Sequence, residues 1–270
     1  MANMLIAQIT DCHIVDPGSL LNDRVDTATM LAGAVAHIAA MNPQPDLVLA
    51  TGDLVNDGTP VQYRNLTSLL APLAMPIIAI PGNHDDRTEL RRAFSMTPSR
   101  PDVRMDSVHD QHELRLIGLD TTIPGEHGGE VTPSQMAWLD TQLLAAPDVP
   151  TLIFQHHPPF LTGIAWMDAV GMTGADLEAD VVGRHSQVQS VVCGHIHRVI
   201  QSRIGGTPVS TWPSTGAQVA LALDGTPHGY IDEPPVVALH NWSPTAGLVS
   251  HVSYVNGPEP WVPAWATATS

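Results

Sequence analysis

A chain of 270 residues with 43% hydrophobic and 14% charged residues is long enough to bury a sizeable core and too apolar to be disordered. Its 27 acidic side chains against 11 Arg and no Lys give a formal net charge of −16, which argues against a binder of nucleic-acid polymers or anionic membranes, since both need a basic face. The two cysteines make no secreted disulfide framework, the start has no signal-peptide pattern, and no stretch approaches ~18 consecutive apolar residues, so the expected address is the cytoplasm.

In chain order, Met4–Ile9 reads as a strand and 25–41 as a helix with Ala, Leu, Met and Ile at helical spacing. Strand 47–50 stops at Thr51-Gly52-Asp53, and a helix over Pro60–Leu70 opens on a proline suited to the first turn. Strand 76–80 stops at Pro81-Gly82-Asn83-His84 and precedes a short helix over 89–94. Strand 114–119 ends at Asp120, helix Pro133–Leu144 is entered by Thr132 as N-cap, strand 151–154 ends at Gln155-His156-His157, and Val188–Cys193 ends at Gly194-His195. This βαβα rhythm predicts a layered α/β domain. The last third changes character: 199–204, 207–212, 236–241 and 249–255 read as antiparallel strands joined by Gly and Pro turns. One domain over 1–256 is expected, followed by an extended arm over 257–270 whose Trp261 and Trp265 suit packing on a neighbour in a homo-oligomer.

The chemistry lies where the strands stop. Asp11 and His13, Asp53, Asn83 and His84, His156 and His157, and His195 and His197 each follow an apolar strand, and α/β sheets bind ligands at such carboxyl ends. In an extended segment residues two apart share a face, so Asp11 and His13 should point together with Cys12 turned away, and His195 and His197 should pair likewise. A lone Asp-x-His or Gly-Asp is ordinarily a turn; five such motifs in order at strand ends are not ordinary. Two carboxylates, an amide and up to six imidazoles exceed the about four to six ligands of one ion, which argues for two metals with a carboxylate between them. Oxygen and nitrogen donors without thiolate favour Fe, Mn, Zn or Co.

Asp11-x-His13, Gly52-Asp53, Gly82-Asn83-His84-Asp85, His156 and Gly194-His195-x-His197 resemble the motifs of the calcineurin-like metallophosphoesterase superfamily, closest to its bacterial class III cyclic-nucleotide phosphodiesterase and glycerophosphodiesterase branch. The resemblance spans about residues 4–215, with further echoes at Leu119-Asp120-Thr121, His127-Gly128-Gly129-Glu130, His156-His157-Pro158-Pro159, Trp166-Met167-Asp168 and Pro213-Ser214-Thr215. It implies a four-layer αββα sandwich of two mixed sheets flanked by helices, with a dinuclear metal site at the strand ends. It implies one divalent ion on Asp11, His13, Asp53 and His197, and another on Asp53, Asn83, His156 and His195, with Asp53 bridging. His84 would face the substrate and serve the leaving oxygen, with Asp85 orienting it. Relatives that are protein phosphatases carry an Arg shortly after Gly-Asp; Leu54-Val55-Asn56-Asp57-Gly58 has none, which speaks against that activity.

The implied reaction is hydrolysis of a small phosphodiester by water activated by the two metals, with 3′,5′-cyclic nucleotides ahead of glycerophosphodiesters as substrates. Asn83, His157, His127, Trp166 and Asp168 are the candidate substrate-binding residues, Trp166 by stacking on a base, and 160–174 is a candidate mobile cap. Two other classes compete: a binding module that has lost its metals, against which the intact donor set argues, and a phosphomonoesterase, against which the missing Arg argues.

Overall fold

The apolar runs at the strand positions become strands covered on both faces, as parallel strands require. The computed structural model describes residues 3–96, 103–226, 229–257 and 261–263. In chain order the first half holds β1 (Met4–Ile9), α1 (Thr27–Ala39), β2 (Leu47–Thr51), α2 (Pro60–Leu70), β3 (Ile77–Ile80), α3 (Arg87–Ala93), β4 (Ser107–His109), β5 (Arg115–Leu119), β6 (Gly129–Glu130) and α4 (Pro133–Leu144). Then follow β7 (Thr151–Gln155), α5 (Ala165–Asp168), β8 (Met172–Thr173), α6 (Ala175–Val182), β9 (Val188–Cys193), β10 (Ile200–Ile204), β11 (Thr207–Thr211), β12 (Gln218–Val219), β13 (Tyr230–Ile231), β14 (Val236–Ser243) and β15 (Gly247–Tyr254).

The first sheet runs β15-β14-β1-β2-β3, parallel from β1 to β3, with the β14–β15 hairpin added antiparallel to β1. The second runs β10-β11-β9-β7-β5-β4, parallel from β11 to β5 and antiparallel at both edges. Alternation along each strand builds the layers. Leu47 and Leu49 of β2 face Leu152 and Phe154 of β7 between the sheets. Val48 and Ala50 face the other way, onto Leu31, Ile38 and Leu66 of α1 and α2. Ile153 and Val191 of the second sheet meet Leu139 of α4 and Val181 of α6. The result is the expected αββα sandwich. Cys12 and Cys193 lie in different apolar layers, the former turned away from the ligand side chains as expected.

Local chemistry sets the element ends. The α1 helix starts at Thr27 rather than at 25 because the Asp26 carboxylate accepts the Thr29 N–H. The α3 helix starts two residues before the sequence expectation because Asp86 accepts from the N–H groups of Thr88 and Glu89. Thr59 and Thr132 cap α2 and α4, each followed by proline. The last third is not one antiparallel group: β11 runs parallel to β9, while β14 and β15 belong to the other sheet. A buried chain joins the two sheets. The Gln8 amide donates to the Thr51 hydroxyl at 2.7 Å and the Cys193 carbonyl at 3.3 Å, and its oxygen meets His240 Nε2 at 2.9 Å. Burial pushes His240 down to about 3, so it serves there as a neutral ring.

The segment 160–174 is not a detached cap. Its Ile164 and Met167 are buried against Val219 and against Ile196, the residue between the two histidines of the last motif. Most of the arm expected over 257–270, including Trp265, lies outside the described residues; Trp261 and Val262 are exposed. No helix among the described residues is long and apolar enough to cross a membrane.

Candidate metal centre

The parallel strands of both sheets deliver their following loops to one place. Asp11, His13, Asp53, His156, His195 and His197 are buried there, with Asn83 and His84 half-buried beside them. The backbone does not reach this by extended alternation. Asp11, His13, Asp53, His195 and His197 all have left-handed φ, from 44° to 67°, a conformation costly for residues with a Cβ and found mainly at functional sites. One consequence corrects the simple pairing rule: His197 turns toward Asp11 and His13, while His195 turns toward His156 and His157.

Close approach of the loops needs two glycines. A Cβ on Gly52, at φ +90°, would lie 2.6 Å from the Gly82 nitrogen and from His156 Nδ1. A Cβ on Gly82 would collide with the Asp53 backbone nitrogen and carboxylate.

Two sets of lone pairs converge in this cluster. His197 Nδ1 donates to the Ala217 carbonyl at 2.6 Å, so its Nε2 faces Asp11 Oδ1 at 3.2 Å and His13 Nε2 at 3.3 Å as an acceptor. His156 Nδ1 donates to the Thr51 carbonyl at 2.9 Å, so its Nε2 faces Asn83 Oδ1 at 3.2 Å and Asp53 Oδ2 at 3.4 Å. His195 Nε2 donates to the Val170 carbonyl at 3.0 Å, which frees its Nδ1. Asp53 stands between the sets: Oδ1 accepts the His84 N–H at 2.8 Å, and Oδ2 lies 3.7 Å from His13 and 3.4 Å from His156.

Acceptors gathered this way repel one another unless a cation lies among them, and an outer ring nitrogen fixed on a carbonyl is the usual preparation of a metal-binding histidine. The buried His13 Nδ1 also has no hydrogen-bond partner among the described residues. The titration pattern agrees. Burial opposes charge on His156, yet Asp53 beside it pushes the ring up to about 9, so in the protein alone a proton fills the gap. Burial also opposes charge on Asp53 and Asp11, but His156 holds the former, and His197 the latter, below the usual carboxylate range. Burial pushes His13 down to about 4 and keeps it in the neutral, ligating form. The donor set fits two divalent ions.

The remaining expected site residues divide. His84 stands at the centre, its ring 4.8 Å from His13 in edge contact and its Nδ1 donating to the Asn56 carbonyl at 2.7 Å. Asp85 does not orient it. The Asp85 carboxylate turns inward and accepts from Gly82 N–H, Leu54 N–H and the Tyr63 hydroxyl, so the Asn56 carbonyl sets the ring instead. His127 is exposed at the rim, 5.7 Å from the His84 ring, and takes a hydrogen bond from the Asn83 amide at 3.4 Å.

His157 does not form a substrate wall. It is fully buried, its Nδ1 meets the Thr121 hydroxyl at 2.8 Å and its Nε2 the His127 carbonyl at 3.1 Å. Asp168 is likewise committed, accepting from Thr162 N–H, Thr162 hydroxyl and Gly163 N–H to close its own loop. Trp166 stands behind Tyr230, with ring centroids 6.0 Å apart in edge contact. Tyr230 itself, which sequence reading missed, borders a cavity of about 480 Å³ over His13, His84 and His197. Nothing in the local sequence marks it, because β13 is a two-residue strand in a stretch without periodicity.

Comparison with known proteins agrees with this geometry. A family model for calcineurin-like phosphoesterases matches residues 4–199. A probable glycerophosphodiester phosphodiesterase GpdQ from Arcobacter nitrofigilis is 36% identical, covering 96% of this chain and 97% of its own. A 3′,5′-cyclic adenosine monophosphate phosphodiesterase CpdA from Vibrio vulnificus is 33% identical over 79% of this chain and 77% of its own. Among solved structures, a dimetal phosphatase from Danio rerio superposes with a TM-score of 0.62 at 15% identity, covering 94% of this chain and 99% of its own, which speaks for the fold alone.

Proposed function

Because the chain belongs to the calcineurin-like phosphoesterase family, we propose that it is a metal-dependent phosphodiesterase of small diesters, with 3′,5′-cyclic nucleotides as first substrates and glycerophosphodiesters as second. The observation that carries this is the pair of convergent donor sets sharing Asp53, with His84 facing the same space. In this reading Asp11, His13, Asp53 and His197 hold one ion, and Asp53, Asn83, His156 and His195 the other. Two such ions, when bound, neutralise the phosphoryl oxygens and lower the pKa of a water that attacks phosphorus.

The protein's own groups do the rest. Burial of the donors excludes bulk water and strengthens each charge contact. His84 gives its Nδ1–H to Asn56, so the ring in its protonated form presents Nε2–H to the leaving oxygen as the P–O bond breaks. Asn83, held between His156 and His127, lies where it can also touch a phosphoryl oxygen. The glycerophosphodiester reading stays beside the first because the GpdQ relative aligns over nearly its whole length.

A net charge of −16 supports small substrates over nucleic-acid polymers or anionic membranes, and the free cysteines Cys12 and Cys193 support a cytoplasmic address. Exposed Trp261 and Val262 support a homo-oligomer. The test is to strip the protein of metal, restore Mn, Fe, Zn or Co singly, and assay cyclic AMP, glycerophosphocholine and bis(p-nitrophenyl) phosphate. Metal-dependent turnover of the artificial diester and one natural diester is the expected result. Two ions bound per chain with no turnover of any diester would overturn the reading.

A further inference from the structure

The cavity over His13, His84 and His197 has a chemistry of its own. Leu21, Val25 and Ala217 give it apolar residues, Asn22 and Asn56 give it polar ones, and Tyr230 lines it as its one aromatic residue other than histidine among the described residues. The β12–β13 ladder carries Tyr230 across the mouth. There its ring lies 5.8 Å from that of His197 and 6.0 Å from that of Trp166, the latter in edge contact. The mouth is spanned by an ion pair, Arg24 Nη2 to Asp232 Oδ2 at 2.8 Å, which ties the loop before α1 to β13.

We propose that this cavity is the subsite for the nucleoside part of a substrate, with Tyr230 as the platform on which the base stacks; the proposal rests on the diesterase reading above. Three observations select a nucleobase. A flat ring matches an aromatic lining residue, and Asn22 and Asn56 are polar residues of the kind that can meet its hydrogen-bonding edge. A glycerol group would leave the Leu21, Val25 and Tyr230 surfaces against water, forfeiting the burial they offer. A quaternary ammonium group would gain from Tyr230, but it would meet the Arg24 guanidinium, and Asp232, the one carboxylate among the described residues lining the cavity, is already paired with that guanidinium. Tyr230 is outside the proposed donor sets and meets them through the ring of His197, so its role is recognition and not chemistry.

The test compares the metal-loaded wild type with Tyr230→Ala and Tyr230→Phe. Binding of 5′-AMP and of glycerol 3-phosphate is measured by calorimetry, and kcat and KM are measured on cyclic AMP and glycerophosphoethanolamine. Loss of one base–aromatic stack should weaken 5′-AMP about 5- to 150-fold in Tyr230→Ala. The cyclic AMP loss should lie in KM, while glycerol 3-phosphate and glycerophosphoethanolamine change less than about twofold and Tyr230→Phe stays near wild type. Equal losses on both ligand types, or none on 5′-AMP, would overturn the subsite. Because the binding arm needs no turnover, a wild type that hydrolyses nothing, together with a selective 5′-AMP loss in Tyr230→Ala, would sink the diesterase reading and keep the subsite.

Discussion

Replacing Glu178 by Gln should make the protein more stable at neutral pH and change its pH dependence in a defined way. Glu178 is fully buried on α6, behind Gln155 of β7 and Cys193 of β9, both themselves buried. Its only hydrogen bond among the described residues is from the Gln155 amide, at 3.2 Å, while the other oxygens of both side chains lack partners. A protonated carboxyl supplies the missing donor; an ionised one adds a third acceptor to a dry pocket.

Burial accordingly pushes this carboxyl from its usual 4.5 up to about 7, against the lowering by Gln155. Between those values the unfolded chain gives up the proton and the fold keeps it, so stability falls as pH rises, by about 1.4 kcal/mol per pH unit. The cost to the fold levels off at about 3 kcal/mol above pH 7, or about 6 °C in melting temperature for a chain of this size. Glu178→Gln keeps the shape, supplies an N–H donor and removes the titration. The assay is thermal unfolding of both proteins, loaded with the same metal, from pH 5 to 8. The variant's advantage should be small at pH 5, grow steadily and level off near pH 7.5. A difference that is constant across the range would refute the reasoning, since it would mean that Glu178 ionises in the fold as it does in the unfolded chain.

His84→Ala should keep both metals by elemental analysis yet lose about 10²- to 10⁴-fold in kcat, most on alkoxide leaving groups and least on p-nitrophenolate. Asp53→Ala should lose metal itself, because one carboxylate serves both donor sets; two ions retained per chain would remove Asp53 from the bridge. Asp120→Ala should destabilise by about 3–5 kcal/mol in denaturant unfolding, because it strands the buried Arg87 guanidinium that Asp120 holds at 2.6 Å. The paired change Arg87→Met with Asp120→Leu should recover only part of that loss, because the Met105 and Thr122 N–H groups that Asp120 accepts stay without a partner.

The strand ends were readable because each apolar run stops abruptly at a polar residue, and the strands that do so are the parallel ones whose loops meet. The finer geometry was not readable. Left-handed φ at His195 and His197 sends them to different donor sets, whereas an extended chain would have put them on one face. His156 and His157 look equivalent in sequence; only the fold shows that Thr121 and the His127 carbonyl claim the second ring. Asp168 and Asp85 looked like functional carboxylates because the backbone N–H groups they satisfy come from loop turns invisible to pattern. The α6 helix escaped notice because it starts at Gly174 in left-handed conformation without a polar side-chain cap. Tyr230 escaped because a two-residue strand leaves no period to detect.

The position of β1 has a consequence for synthesis on the ribosome. This strand, which aims Asp11 and His13, is made well before β14, with which it pairs on one side, from Met4 opposite Trp242 to Gln8 opposite Ala238. Every donor residue up to His197 therefore emerges while β1 still has an open edge, and Gln8 still lacks its contact with His240. The nascent chain must shield that edge, by delay or by a chaperone, until the hairpin arrives. A ribosome stalled shortly before Val236 would hold a chain that has all its metal donors and an unprotected sheet edge beside them.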